Sequence, residues 1–130
     1  MIFKIERGTI NPTTKTMKRL FKSFTWAMNG VRTTWREEVN FRIEIIVAII
    51  VIALAFYLNF SVLELMIVIS CIGAVLGAEM LNTAVEDLCD LVEPGHNDMV
   101  GKVKDIMAGF VLIVSFAALS IGFIIFSYYF

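Results

Sequence analysis

Polar residues withdraw from the chain in long blocks after position 42. Ile43 to Leu58 is apolar except for Glu44 and closes on Asn59-Phe60-Ser61, Val62 to Ala78 carries Glu64 as its one charge, and Ile106 to Tyr129 carries none. An amphipathic helix or a half-buried strand would not need runs of this length. At ~1.5 Å per residue, a hydrocarbon core of ~30 Å takes about 20 residues, so the predicted spans are 41–60, 62–90 and 105–128. The second run continues in helical register through Glu79, Asn82, Glu86 and Asp90, and leaves the bilayer there. Ahead of the spans, Leu20, Phe24, Ala27 or Met28, Val31 and Trp35 recur at steps of three or four, with Lys18, Lys22, Arg32 and Arg36 off the stripe. This predicts a surface helix over 16–37 whose apolar face meets acyl chains while its cations meet headgroups. Asn11-Pro12-Thr13-Thr14 is a start signal for it, and Asn29-Gly30 argues against its continuity. Residues 1–14 read as a variable extension and 15–130 as one membrane domain. The fold class is an all-α membrane protein with three transmembrane helices and an N-terminal amphipathic surface helix.

Composition agrees with a bilayer as solvent. The 130 residues are 58% hydrophobic and 18% charged, with a mean hydropathy of +0.81, outside the soluble range. The net charge of -1 identifies no partner, and none of nucleic-acid type is expected. Charge placement is more informative, because all 11 Lys and Arg lie at or before Arg42 or at Lys102 and Lys104. Keeping them cytoplasmic puts the N-terminus inside, Asn59–Ser61 outside, residues 87–105 inside and the C-terminus outside, across a bacterial cytoplasmic membrane. Cys71 and Cys89 form no disulfide framework and read as free thiols. The first residues mix Lys4, Glu6 and Arg7 with no apolar core, so no cleavable signal peptide is expected.

At 100° per residue, Glu79, Asn82, Thr83, Glu86 and Asp90 form one polar stripe on the second span. An ionisable group near the bilayer centre costs at least ~2.5 kcal/mol, so such residues face a bundle interior, a cavity or a partner. Asp87, Asp90 and Glu93 can be read as solvating a helix end, but Glu79 lies deeper and no Lys or Arg on a span neutralises it. Glu38, at the joint between surface helix and first span, and Glu86 are either solvated carboxylates beside Arg36 and Arg42 or hard oxygen ligands of the kind Mg²⁺ takes alongside phosphate. Lys102 and Lys104 are either positive flanks of the third span or neutralise phosphate charge. His96 reads as a solvated loop residue, and a zinc site is not supported. No glycine-rich phosphate loop is present.

Three segments carry a resemblance: Glu38-Val39-Asn40-Phe41-Arg42; Glu79-Met80-Leu81-Asn82-Thr83-Ala84-Val85-Glu86-Asp87-Leu88-Cys89-Asp90; and Lys104-Asp105-Ile106-Met107-Ala108-Gly109. Together, over roughly Met17 to Phe126, the chain resembles the prokaryotic diacylglycerol kinase family, which includes the undecaprenol kinases of Gram-positive bacteria. The resemblance implies a homotrimer with composite active sites, ATP as co-substrate, Mg²⁺ as cofactor and a membrane lipid alcohol as acceptor. It implies Glu79 as the general base, with Asn82 positioning the reacting groups and Glu38 and Glu86 holding the metal beside the nucleotide. Arg19, Trp26, Gly95, His96, Asn97, Lys104 and Asp105 match nucleotide-binding positions. Arg32, Trp35, Asn40, Glu44, Glu79 and Ala108 match positions bordering the lipid. Ala108 replaces a serine, and Trp26 a tyrosine, of the enterobacterial branch; the pattern looks more like the undecaprenol-phosphorylating branch, so undecaprenol is expected ahead of diacylglycerol. Gly73, Ala74, Gly77 and Ala78 are small-xxx-small pairs expected to pack between copies. A proton pathway and a non-catalytic scaffold are the competing classes. The first lacks mid-membrane carboxylates on the other spans, and the second leaves three separate motifs unexplained.

Overall fold

The structure, a computed structural model, describes residues 12–130; the expected extension up to residue 11, with the Asn11 of the start signal, lies outside the described residues. Helix α1 runs Pro12–Glu37. Proline suits a first helical position because its missing N–H would be unpaired there in any case, so the helix starts ahead of the expected 16. It also continues unbroken through Asn29-Gly30, since one mid-helix glycine costs only ~1 kcal/mol relative to alanine and this helix has 26 residues. Its stripe residues Leu20 and Phe24 are exposed.

Three further helices, α2 (Val39–Tyr57), α3 (Val62–Val92) and α4 (Asp98–Ser127), are each long and apolar enough to cross a membrane. Caps set limits that hydropathy alone misplaces. Helix α4 starts at Asp98, well before the expected 105, because the Asn97 Oδ1 accepts the N–H of Met99 at 2.9 Å and of Val100 at 3.2 Å. Asp98 then adds first-turn negative charge that the helix dipole favours. Helix α3 opens on a capping box: Glu64 N–H donates to the Ser61 hydroxyl and Ser61 N–H to the Glu64 carboxylate. Between α1 and α2 only Glu38 leaves helical geometry, at φ -110 and ψ 113. There the Arg42 Nη1 donates to the carbonyls of Trp35 and Arg36, both at 3.1 Å, satisfying acceptors that the end of α1 leaves open.

Residues 34–130 form a unit organised on α3, which packs against α2 and more extensively against α4, while α2 and α4 do not approach each other closely. The buried residues of α2 are Phe41, Ala48 and Ala55, a repeat of seven that forms one seam. Two alanines in that seam let the helix backbones come close. On α3 the buried set is Val68, Ala78, Glu79, Thr83 and Cys89. Gly73, Ala74 and Gly77 are exposed, and a Cβ at either glycine would meet nothing within 4 Å. Within one chain, therefore, Gly73 and Gly77 make no close approach, whereas Ala78 is buried.

The turn joining α2 to α3 is the best-tied part of the molecule. Asn59 takes a φ of 56, a left-handed conformation that asparagine tolerates better than most residues. Phe60 is buried with Ala55, Val68 and Ile125, and its ring lies 4.8 Å from that of Tyr129 and 5.0 Å from that of Phe126. The Tyr129 hydroxyl donates to the Glu64 Oε2 at 2.6 Å, fastening the end of α4 to the start of α3. That hydrogen bond, and secondarily burial, raises the Tyr129 hydroxyl above the ordinary tyrosine value of 10.0. A raised folded-state value means stabilisation that is complete below the ordinary value and lost as pH climbs through the raised one. Tyr129→Phe is therefore expected to lower the melting temperature in detergent at neutral pH, with the gap from the parent chain closing above pH 10. An equal gap at every pH would show that the hydrogen bond is not what ties the ends.

Candidate active site

Four carboxylates converge at the other end of the bundle. Glu79 retains only 3% of its surface, buried on α3 beside Ala78 and Thr83. Its carboxylate lies within Coulombic range of Glu38 and Glu86, and Glu44 lies within range of Glu79. Each position follows from local structure. Glu38 is the single non-helical residue at the α1–α2 joint and sits at the N-cap position of α2, its side chain making no capping bond. Glu44 comes from the first turns of α2, and Glu86 lies two turns, ~10 Å, beyond Glu79 along α3.

Among the described residues no cation forms an ion pair with these four carboxylates. Among the described residues the ion pairs are His96 with Asp98 at 3.3 Å and Lys104 with Asp90 at 2.7 Å. Arg42, which the sequence placed beside Glu38, spends its guanidinium on the two α1 carbonyls. Lys104 is the nearest approach to compensation, since it lies within Coulombic range of Glu86 as well as bonded to Asp90. Two acceptors are also orphaned: Glu44 Oε2 and Asn82 Oδ1 are buried without a hydrogen-bond partner. Thr83, buried next to Glu79, returns its hydroxyl to the Glu79 carbonyl at 3.0 Å and so supplies nothing to the carboxylate. Unpaired buried charge and unpaired buried acceptors each carry a desolvation penalty, of about 1–3 kcal/mol for an acceptor. Several of them in one place indicate a site whose partners are ligands.

Among the described residues no group of three or more His, Cys, Asp and Glu could hold an ion by itself. A divalent ion held here by Glu38 and Glu86 would have to complete its shell with water and substrate phosphates, as Mg²⁺ does.

The remaining sequence-predicted residues are not all gathered here. Gly95, His96 and Asn97 lie on the α3–α4 loop, and His96 and Asn97 line an open concavity with Lys102 and Asp105 of α4. Asn97 is committed as the α4 cap, and the Gly95 N–H bonds to Glu93 at 3.3 Å. Asp105 and Ala108 are exposed on α4, and Asn40 and Trp35 are exposed near the joint. Arg19, Trp26 and Arg32 lie on α1 in the separate unit ending at Thr33; Trp26 is half-buried and the two arginines exposed. Sequence reasoning missed two roles: Arg42 as a helix cap, and Asp90 as the Lys104 partner. The last had a signal, since a carboxylate ending the stripe faces a lysine across a short loop.

Comparison with known proteins follows this geometry. The profile of the prokaryotic diacylglycerol kinase family matches residues 25–126. The chain is 36% identical over 110 residues to the undecaprenol kinase of Bacillus subtilis, covering 85% of this chain and 89% of that one. It is 31% identical over 105 residues to a diacylglycerol kinase of Helicobacter pylori, covering 80% and 81%. To the diacylglycerol kinase of Escherichia coli K12 it is 27% identical over 100 residues, covering 77% and 82%.

Since Glu79 is buried among like charges, its neutral isostere should make the empty protein more stable. Glu79→Gln is expected to gain about 1 kcal/mol, the usual size of such a relief, read as a higher unfolding midpoint without ligands. A lower midpoint would mean that Glu79 is satisfied in the fold.

Proposed function

This chain belongs to the prokaryotic diacylglycerol kinase family and is a lipid kinase, a phosphotransferase with an alcohol acceptor; we propose that it phosphorylates undecaprenol at the expense of ATP. The observation that carries the reading is a buried Glu79 whose neighbours are carboxylates and whose position is too apolar for a merely solvated acid. The 36% identity to an undecaprenol kinase, against 31% and 27% to two diacylglycerol kinases, supports the choice of lipid. Diacylglycerol is the second reading, supported by the more numerous relatives of that name.

In this reading Glu79 accepts the proton of the lipid hydroxyl, and the oxygen forms a bond to the γ-phosphorus as the bond from that phosphorus to the β–γ bridging oxygen breaks. ADP departs with the electron pair of that bond. A base for such a reaction must reach into the interfacial layer, because a lipid alcohol cannot rise far into water. Asn82, with its orphaned Oδ1, positions the hydroxyl. Glu38 and Glu86 would hold Mg²⁺, which when bound neutralises phosphate charge. Lys104 and Asp105 face the nucleotide together with Gly95, His96, Asn97, Arg19 and Trp26. Arg32, Trp35, Asn40, Glu44 and Ala108 border the lipid. Phosphoryl transfer asks chiefly for alignment and charge stabilisation, so a small scaffold suffices.

The same reading places α1 as an amphipathic surface helix on the bilayer and the chain as a homotrimer with shared sites. It also places the protein in the bacterial cytoplasmic membrane with its N-terminus inside and C-terminus outside, and treats residues 15–130 as the kinase domain. All basic residues are then cytoplasmic.

Purified protein in mixed micelles with ATP and Mg²⁺ is expected to transfer labelled γ-phosphate to undecaprenol faster than to diacylglycerol. Glu79→Gln should lower kcat by about 10²-fold or more, the range for a lost general base, with KM for ATP little changed. Full turnover in that variant would remove the base assignment, and no transfer to either lipid by the intact parent protein would remove the substrate assignment.

A further inference from the structure

Among the carboxylates of the candidate site, Glu38 alone stands on backbone that is not helical, so its position depends on what holds the break. One extended residue between two long helices is where a chain can bend, because hinges are a few element-terminal residues that absorb the change in backbone angle. Buried residues anchor the chain on both sides: Thr34 keeps 5% of its surface and Phe41 2%. Two backbone hydrogen bonds cross the break, from the Glu38 N–H to the Thr34 carbonyl at 2.9 Å and from the Arg42 N–H to the Glu38 carbonyl at 3.3 Å. Neither uses the carbonyls of Trp35 and Arg36. Both of these accept from one nitrogen, the Arg42 Nη1.

Arg42 had a nearer partner to choose. An acid four residues ahead of an arginine is the favoured pairing along a helix, and Glu38 stands at that spacing, yet among the described residues the two form no ion pair. The guanidinium instead reaches back past Glu38, over six and seven residues, to the far side of the break. One side chain thus does two things: it leaves the Glu38 carboxylate unpaired, and it bridges the backbone that carries that carboxylate.

We propose that Arg42 is a positioning residue of the metal site: by tying two carbonyls across the joint it holds the Glu38 carboxylate where it can share a divalent ion with Glu86. The inference rests on the reading above, in which Glu38 and Glu86 hold the ion, and adds what keeps the first of them in place. A ligating group has to be held within ~0.5 Å of its working position. Glu86 has a continuous helix for this purpose, and Glu38 has only the joint. Loss of a residue that orients a metal ligand costs about 10–100-fold in metal affinity.

The direction of the effect separates a brace from a charge. Arg42→Gln removes a positive charge four residues from Glu38, which by Coulomb's law alone tightens cation binding, whereas loss of the brace weakens it. Mn²⁺ suits the same oxygen ligands as Mg²⁺ and can be followed by electron paramagnetic resonance with a non-hydrolysable ATP analogue and no lipid acceptor. Arg42→Gln is expected to weaken Mn²⁺ binding roughly tenfold or more, with affinity for the analogue in excess EDTA at the parent value. Amide hydrogen exchange over residues 38–42 should quicken in the ligand-free variant while the α2–α3 turn keeps its parent rates. Arg42→Lys, which keeps the charge on a different donor group, should lose less in the same direction, and carries the comparison if the glutamine variant does not fold. Mn²⁺ binding in Arg42→Gln as tight as in the parent or tighter, unchanged exchange across the joint, or an equal loss of analogue affinity with and without metal would each overturn the brace. Parent-like Mn²⁺ binding in Glu38→Gln would instead overturn the metal assignment of Glu38, and exchange at the joint would then decide the brace by itself.

Discussion

The structure turns on a carboxylate held in an apolar helix with no ion-pair partner among the described residues. Insertion of such a group costs at least ~2.5 kcal/mol, and here Glu38 and Glu86 lie within Coulombic range of it, with Glu79 in turn within range of Glu44. A fold under selection for stability alone would place a lysine nearby or remove the acid. This one does neither: Arg42 is turned away to cap α1, and Lys104 is held by Asp90. In the proposed reading, a divalent ion with a nucleotide and a donating hydroxyl would satisfy the groups that the fold leaves unpaired.

Stability is correspondingly supplied elsewhere. At the α2–α3 turn every polar group of note has a partner: Ser61 and Glu64 cap α3 reciprocally, and Glu64 also accepts from Tyr129. Three aromatic rings close over the same turn. The commitment of Glu64 has a functional consequence. A proton pathway would need a free acid in that half of the bundle, and its acid is engaged in a cap and a tyrosine bond. The two ends of one bundle thus divide the work, with packing at the turn and unsatisfied charge at the site.

Much of this was legible in the sequence, for identifiable reasons. Three spans follow from apolar runs too long for any soluble element, and the stripe from Glu79 to Asp90 follows from helical periodicity. Helix limits were less legible, because α4 begins where Asn97 caps it and not where hydropathy rises. The unbroken α1 shows how little one Asn-Gly pair weighs against a long helix. Tertiary partners were the least visible. The bond from Tyr129 to Glu64 joins residues 65 apart, and Arg42 as a cap depends on a joint of one residue that no pattern announces. The convergence of Glu38, Glu44 and Glu86 on Glu79 needed coordinates, although each had been singled out as acidic.

One relation on α3 links the site to assembly. At 100° per residue, Gly73, Ala74 and Gly77 fall on roughly the opposite side of the helix from Glu79, Thr83 and Glu86. The first group is exposed, with open space at both glycines, while the acid side packs within the chain. A helix with one small-residue face and one acid face can meet its copies on the first without burying the second any deeper. In the proposed homotrimer, α3 would then stand innermost, with the acids turned away from the axis. Assembly through the acid face would bring the Glu79 carboxylates of different copies together, a repulsion that close packing of small residues could not offset.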